Sequence, residues 1–451
     1  MSGSTGKVEL PEFAKNLKIA GYSVEQWNQT LTNLIPKEEL PKLSKFHVGG
    51  FIQKLCTESP PLSVPPTEDA KVPSSVVVQD GGEMGLKAFL KRAFTFLEYS
   101  DLIYLTEIDE IVKRTFLKRE KIIRFDMQTT LQEDHFRPAY MLAVDDELQV
   151  VLFVLRGTSE LPDAATDLCA KAKEFVVPVQ EGGEGEGGGW KGTAHGAMAE
   201  AAESFAEEFT PDILSTLSDH PGYKLVITGH SLGGGVAILL SLLLKFSLQE
   251  TALECFAFAP PPVLSRSLLV KLPPGWLFVF VNQFDCVPRA SMPSVVRFLQ
   301  KLEEAGQPSM MRIFAAQYTK SETFARWLFP DPKAAAEAAA AAEAVLDEKE
   351  TGEIEEGGGD GGSPNAPGGT FAVVEKSGAE SPGKETETFH PGKIFFITRA
   401  LPLLGAKASP LTVFRETENA FRDLIVSDLM VSHHRTEEYK AAFREVIKYL
   451  P

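Results

Sequence analysis

From residue 139 onward the chain alternates between two hydrophobic periods. Ala139–Val144 and Leu148–Leu155 are short apolar runs parted by Asp145-Asp146-Glu147, a pattern that reads as a β-hairpin. Lys224–Thr228, Glu254–Phe258, Leu277–Asn282 and Lys393–Thr398 are further runs of strand length, rich in Val, Ile and Phe. Between most of them the period lengthens to that of a helix, notably over Ala197–Phe209 and Val236–Phe246. Such alternation predicts an α/β architecture, a mostly parallel central sheet flanked by helices. Ahead of it, Met84–Lys118 carries Leu86, Phe89, Leu90, Ala93, Phe94 and Leu97 at helical spacing, predicting one long helical stretch.

Three segments stand outside this pattern. Residues 1–84 read as an N-terminal helical extension, periodic over Glu25–Leu34 and broken by prolines from Pro60 to Pro66. Glu181–Gly189 is an acidic glycine run with the composition of a flexible loop. Residues 332–391 begin as an alanine-glutamate helix (Ala334–Leu346) and continue as glycine-rich, then charged chain. That composition offers too little apolar area to offset its ordering entropy. It predicts a low-complexity insert, a lid or regulatory loop, dividing a core of 85–331 and 392–451.

Charge and cysteines narrow the function. A net charge of −17 over 451 residues opposes binding to nucleic acid, which needs clustered Lys and Arg. It equally opposes steady adhesion to anionic lipid, so any membrane contact must be local and apolar. The longest apolar stretch, Val236–Leu244, falls short of the about 20 residues that span a bilayer. Met1–Gly6 shows neither a basic nor an apolar leader region. The expectation is a cytoplasmic protein, soluble or peripheral on membranes. The four cysteines (Cys56, Cys169, Cys255, Cys286) match no metal template, so buried thiols, no metal and no cofactor are expected.

The chemistry centres on Gly229-His230-Ser231-Leu232-Gly233. An apolar strand (Leu225, Val226, Ile227) runs into it, and a helix of small then large apolar residues runs out. That is the context a nucleophile elbow requires, and it places the fold among the α/β-hydrolases. Glycines two before and two after Ser231 leave room where side chains would strike neighbouring backbone. In this arrangement the acid and then the base follow the serine in chain order. Asp285 lies just past the strand Leu277–Asn282 and is the candidate acid. Of eight histidines, five precede Ser231. His390 comes ahead of the last expected strand in low-complexity chain and is a poor base. His433 and His434 follow that strand, at the start of a helical run (Glu437–Leu450), and order alone does not choose between them. For an oxyanion hole, the Leu232 N–H is one donor, and Thr158, after the strand ending at Leu155, is the second.

These segments resemble the successive motifs of class 3 lipases. They are Arg156-Gly157-Thr158-Ser159, Thr166-Asp167-Leu168, Ala194-His195-Gly196, Thr228 through Gly233, and Phe284-Asp285-Cys286-Val287-Pro288-Arg289. Phe136-Arg137-Pro138-Ala139-Tyr140, Phe258-Ala259-Pro260-Pro261 and His390-Pro391-Gly392-Lys393-Ile394 bring the resemblance closest to the sn-1-specific diacylglycerol lipases. The family pattern Ser-x-x-Met-x-x-Asp-His aligns with Ser427 through His434, which implies His434 as the base and leaves His433 where the family has aspartate. The resemblance implies a serine esterase acting on a glycerolipid at a membrane or droplet surface, with diacylglycerol favoured. A phospholipase A1 or galactolipase would share the same catalytic residues, and a non-catalytic scaffold would keep the fold alone.

Overall fold

The computed structural model describes residues 64–158, 172–179, 189–297 and 387–451, short gaps within them aside, together with 18–19 and 22–23. The periodic stretch Glu25–Leu34, Cys56, Cys169, the Thr166–Leu168 motif, most of the acidic glycine run and nearly all of the 332–391 insert lie outside the described residues.

An eight-stranded sheet forms the centre. Its strands are β1 (Ile122–Asp126), β2 (Tyr140–Asp145), β3 (Val150–Leu155), β4 (Lys224–His230), β5 (Leu253–Phe258), β6 (Leu277–Asn282), β7 (Lys393–Arg399) and β8 (Leu411–Glu416). They lie side by side in chain order. Strands β3 to β7 are parallel to one another, while β1, β2 and β8 pair antiparallel at the two flanks. β2, β3, β5 and β6 are buried along their whole length, as strands covered on both faces must be. This is the α/β-hydrolase architecture expected from the sequence.

Because side chains alternate between faces, each strand feeds two cores. Val151, Phe153, Leu225, Ile227, Cys255 and Val279 pack beneath α3 (Gly196–Asp219) and α4 (Leu232–Lys245). Leu152, Val154, Val226, Phe256, Phe278 and Phe395 face α1 (Leu86–Leu102) and α5 (Thr436–Tyr449). There Phe89 of α1 sits 4.9 Å from Phe278 and 5.1 Å from Phe395, centroid to centroid. That aromatic contact fixes α1 on the sheet.

Several elements differ from the sequence reading. The stretch expected as one helix over Met84–Lys118 is two, α1 and α2 (Ile108–Arg114). Tight turns, with Tyr104 N–H bonded to Asp101 O and Leu105 N–H to Leu102 O, close α1, and the half-buried Tyr104 reaches His230 with its hydroxyl. Lys393–Thr398 was expected to be the last strand, yet β8 follows it and forms the sheet edge. The described part of the N-terminal region is extended: Ser75–Val77 pairs with Glu83–Gly85, and Lys71 bridges to Arg415 on β8. A chain laid along that edge covers it against stray pairing. A smaller antiparallel sheet of Ala172–Pro178, Gly189–His195, Leu264–Ser265 and Thr388–Phe389 also went unread, because its exposed alternate positions dilute the apolar pattern. No described helix is long and apolar enough to cross a membrane.

Candidate active site

The elbow forms where β4 meets α4. Ser231 sits between them at φ 60° and ψ −133°, a left-handed backbone that costs an L-residue about 1–3 kcal/mol. The strain is held by Ser231 N–H donating to Phe258 O at 2.9 Å, and by Gly235 N–H donating to Ser231 O at 3.1 Å. The flanking glycines are steric necessities. A Cβ on Gly229 would lie 2.5 Å from Gly233 O, and one on Gly233 would lie 2.6 Å from Arg156 C.

Asp285 enters from the turn after β6, closed by Asp285 N–H to Asn282 O at 2.9 Å, and its side chain is fully buried. Its Oδ1 accepts the Val287 N–H at 3.0 Å, and its Oδ2 accepts the Tyr439 hydroxyl at 2.7 Å. Burial and the neighbouring Asp285 charge push the Tyr439 hydroxyl well above its ordinary pKa, so it remains a donor.

His434, the candidate base, lies on a single helical turn, Ser432–His434, ahead of α5. Buried Met430 and Val431 anchor that turn, and Cys286 N–H donates to Met430 O at 3.3 Å, tying the His434 loop to the Asp285 loop. His434 Nδ1 lies 2.9 Å from Asp285 Oδ1 and 3.1 Å from Oδ2, while its Nε2 lies 2.9 Å from Ser231 Oγ. A carboxylate only accepts, so the proton sits on Nδ1 and Nε2 is left to accept from the serine.

His433, left open by chain order, is not brought to Ser231. Its Nδ1 accepts the Phe284 N–H at 3.3 Å and its carbonyl accepts from Asn282 Nδ2 at 3.2 Å. His390 is no part of a low-complexity tail: it is buried, with Nε2 2.7 Å from Pro288 O behind the acid loop.

Of the two oxyanion candidates, Leu232 directly follows the serine, and Thr158 follows Gly157, which packs against Ser231. Leu232 is the first residue of α4, where N–H groups lack intrahelical partners and the helix dipole is positive. Gly157, immediately before the half-buried Thr158, approaches so closely that a Cβ on it would lie 2.8 Å from Ser231 Cβ.

Tyr439 and Tyr104 escaped the sequence reading. Tyr439 carried a readable signal, since Tyr439, Ala442, Phe443 and Val446 form the buried stripe of α5 and a buried tyrosine hydroxyl needs a partner. Among the described residues no cluster suits a metal ion, and the described thiols Cys255 and Cys286 are unpaired. Burial pushes the Cys255 thiol up to about 12.

Residues 152–295 match the family described as lipase (class 3). The chain is 29% identical to human (Homo sapiens) diacylglycerol lipase-alpha over 207 residues, 44% of this chain and 19% of that protein. It is 29% identical to a chloroplastic phospholipase A1 of Arabidopsis thaliana over 159 residues, 34% of this chain and 21% of that one. A solved Rhizomucor miehei lipase propeptide complex shares 21% identity at a TM-score of 0.36, covering 51% of this chain and 72% of its own. The chain is thus similar to class 3 lipases, and to diacylglycerol lipases among them, while spanning about a fifth of the length of those curated relatives.

Proposed function

We propose that the chain is a serine lipase hydrolysing an acyl ester of a glycerolipid, with diacylglycerol favoured. The observation that carries this reading is the hydrogen-bonded series Ser231 Oγ, His434 Nε2, His434 Nδ1, Asp285. In it His434 takes the Ser231 proton as Oγ attacks the ester carbonyl, and Asp285 stabilises the imidazolium that forms. The tetrahedral oxyanion is met by the Leu232 N–H and by Thr158. His434 returns the proton to the departing glycerol oxygen, leaving an acyl group on Ser231. Water, deprotonated by the same imidazole, then attacks the acyl-enzyme and releases a fatty acid.

The similarity to diacylglycerol lipases supports the choice of substrate. The likeness to a phospholipase A1 makes a phosphoglyceride the competing substrate, since the two chemistries differ only in the headgroup pocket. The experiment is a panel of emulsified diacyl-, triacyl-, galacto- and phosphoglycerides, with products identified by mass. Fastest release of fatty acid from diacylglycerol is expected. Preferential release from a phospholipid or galactolipid would overturn the substrate, and no release from any ester would overturn the enzyme.

A further inference from the structure

His230 precedes the nucleophile, yet the proton transfers bypass it. Its ring is buried, with Nε2 2.7 Å from the carbonyl oxygen of His434 and Nδ1 3.1 Å from the Tyr104 hydroxyl. A carbonyl only accepts, so Nε2 carries a hydrogen. Burial, and next the charge that His434 takes up, draw the pKa of His230 down to about 3, so the ring is neutral and its Nδ1 is bare. The Tyr104 hydroxyl therefore donates to Nδ1. Its oxygen also packs closely on Gly157, where a Cβ would lie 2.8 Å from it.

The two bonds run in one direction, Tyr104 O–H to His230 and His230 N–H to His434 C=O, and they start at a hydroxyl packed against Gly157. They join the oxyanion strand end, the elbow and the backbone of the base. The same stretch of chain grips two more supports. Ser100 and Thr228, on α1 and β4, place their hydroxyls 3.0 Å apart, and Asp101 accepts from Thr436 Oγ1 at 2.5 Å and from Lys440 on α5. The rings of His230 and His434 lie 4.7 Å apart, so any rotation of one displaces the other.

We propose that Tyr104 and His230 are positioning residues that set the backbone of His434 and of Gly157–Thr158 against Ser231. The proposal rests on the reading of Ser231, His434 and Asp285 as the catalytic group. A misplacement of about 1 Å at such a site costs on the order of 10²-fold in rate, which gives a few hydrogen bonds their leverage.

The test compares Tyr104→Phe, His230→Leu and His230→Gln, with kcat normalised to sites titrated by a fluorophosphonate. Tyr104→Phe keeps the ring packing and removes only the hydroxyl; its kcat is expected to fall about 10- to 100-fold with KM within about twofold. His230→Leu is expected to fall at least as far. His230→Gln carries a donor and an acceptor at nearly the imidazole spacing and should recover most of the activity. Tyr99→Phe, one turn back on α1, loses its hydroxyl bond to Asp145 at 2.5 Å; it should melt earlier with unchanged kcat per site. Wild-type kcat per site in both Tyr104→Phe and His230→Leu would overturn the relay alone. A wild type that neither labels nor turns over would remove the reading beneath it as well. Should a variant fail to fold, ¹⁵N spectra of the wild-type histidine rings decide. His230 must be the neutral Nε2–H tautomer from pH 5 to 8, and a protonated or Nδ1–H ring would refute the relay.

Discussion

Tyr439→Phe isolates what holds the acid. The substitution leaves the ring in the α5 stripe and deletes one oxygen, which donates to Asp285 Oδ2 at 2.7 Å and accepts the Asn282 N–H at 3.0 Å. Two groups are stranded, because Asp285 and Asn282 are both fully buried. A hydrogen bond to a charged acceptor contributes about 1.5–3 kcal/mol, and an orphaned buried amide costs about 1–3 kcal/mol. The two losses share one cavity and partly relax together, so the expected destabilisation is about 2–4 kcal/mol against a total of roughly 5–15. Asp285 keeps the Val287 N–H and His434, but nothing then fixes Oδ2 on its far side. A carboxylate free to swing orients the imidazole less well, and kcat should fall about 10- to 100-fold, or about 1.4–2.7 kcal/mol of barrier. KM should stay within about twofold, because the hydroxyl bonds to the acid and not to substrate. Urea unfolding gives the first quantity, and turnover per titrated site gives the second. A stability change under about 0.5 kcal/mol together with kcat within twofold would show that the bond to Asp285 does not carry the load assigned to it.

Three further outcomes are expected. Burial holds His230 at about 3 and His390 at about 4, below the ordinary 6.5, so the unfolded chain binds protons that the folded one refuses. Their stabilising effect is therefore whole above pH 6.5 and is lost as pH falls toward 4, at up to about 1.4 kcal/mol per pH unit for each histidine; urea midpoints that stay flat from pH 7.5 to 4.5 would contradict it. Arg297 Nη1 and Glu387 Oε1 are 2.8 Å apart, and Arg422 Nη2 reaches the same carboxylate at 2.7 Å, so residues 297, 387 and 422 are tied to one another. Deleting residues 332–386 of the insert should raise turnover if the insert is a lid; unchanged kinetics would make it merely a linker. Gly233→Ala would drive a Cβ into the backbone of Leu155 and Arg156, prising α4 from β3; a cost of about 1–3 kcal/mol and slow labelling by fluorophosphonate are expected in denaturation and labelling assays.

The elbow, the turn bearing Asp285 and the order of the remaining histidines were legible because each rests on local chemistry. Small residues stand where backbones touch, and an acid stands just past a strand. The choice of His434 over His433 was not legible from composition. It depends on the turn at Ser432, which rotates one imidazole to Asp285 and its neighbour to the Phe284 amide. Tyr104 was read as one more position in a long helix, since nothing local announces that its hydroxyl meets His230 from 126 residues away. β8 and the smaller sheet were missed for a related reason. Strands at flanks and edges bury only alternate or scattered positions, and their pairing partners lie far along the chain.

The most direct test of the central reading is covalent trapping. Incubation with a fluorophosphonate, proteolysis and tandem mass spectrometry should place the adduct on Ser231. Ser231→Ala should abolish both the label and, by on the order of 10⁶-fold, the release of fatty acid from diacylglycerol. An adduct on another residue, or fatty-acid release that survives Ser231→Ala, would contradict it.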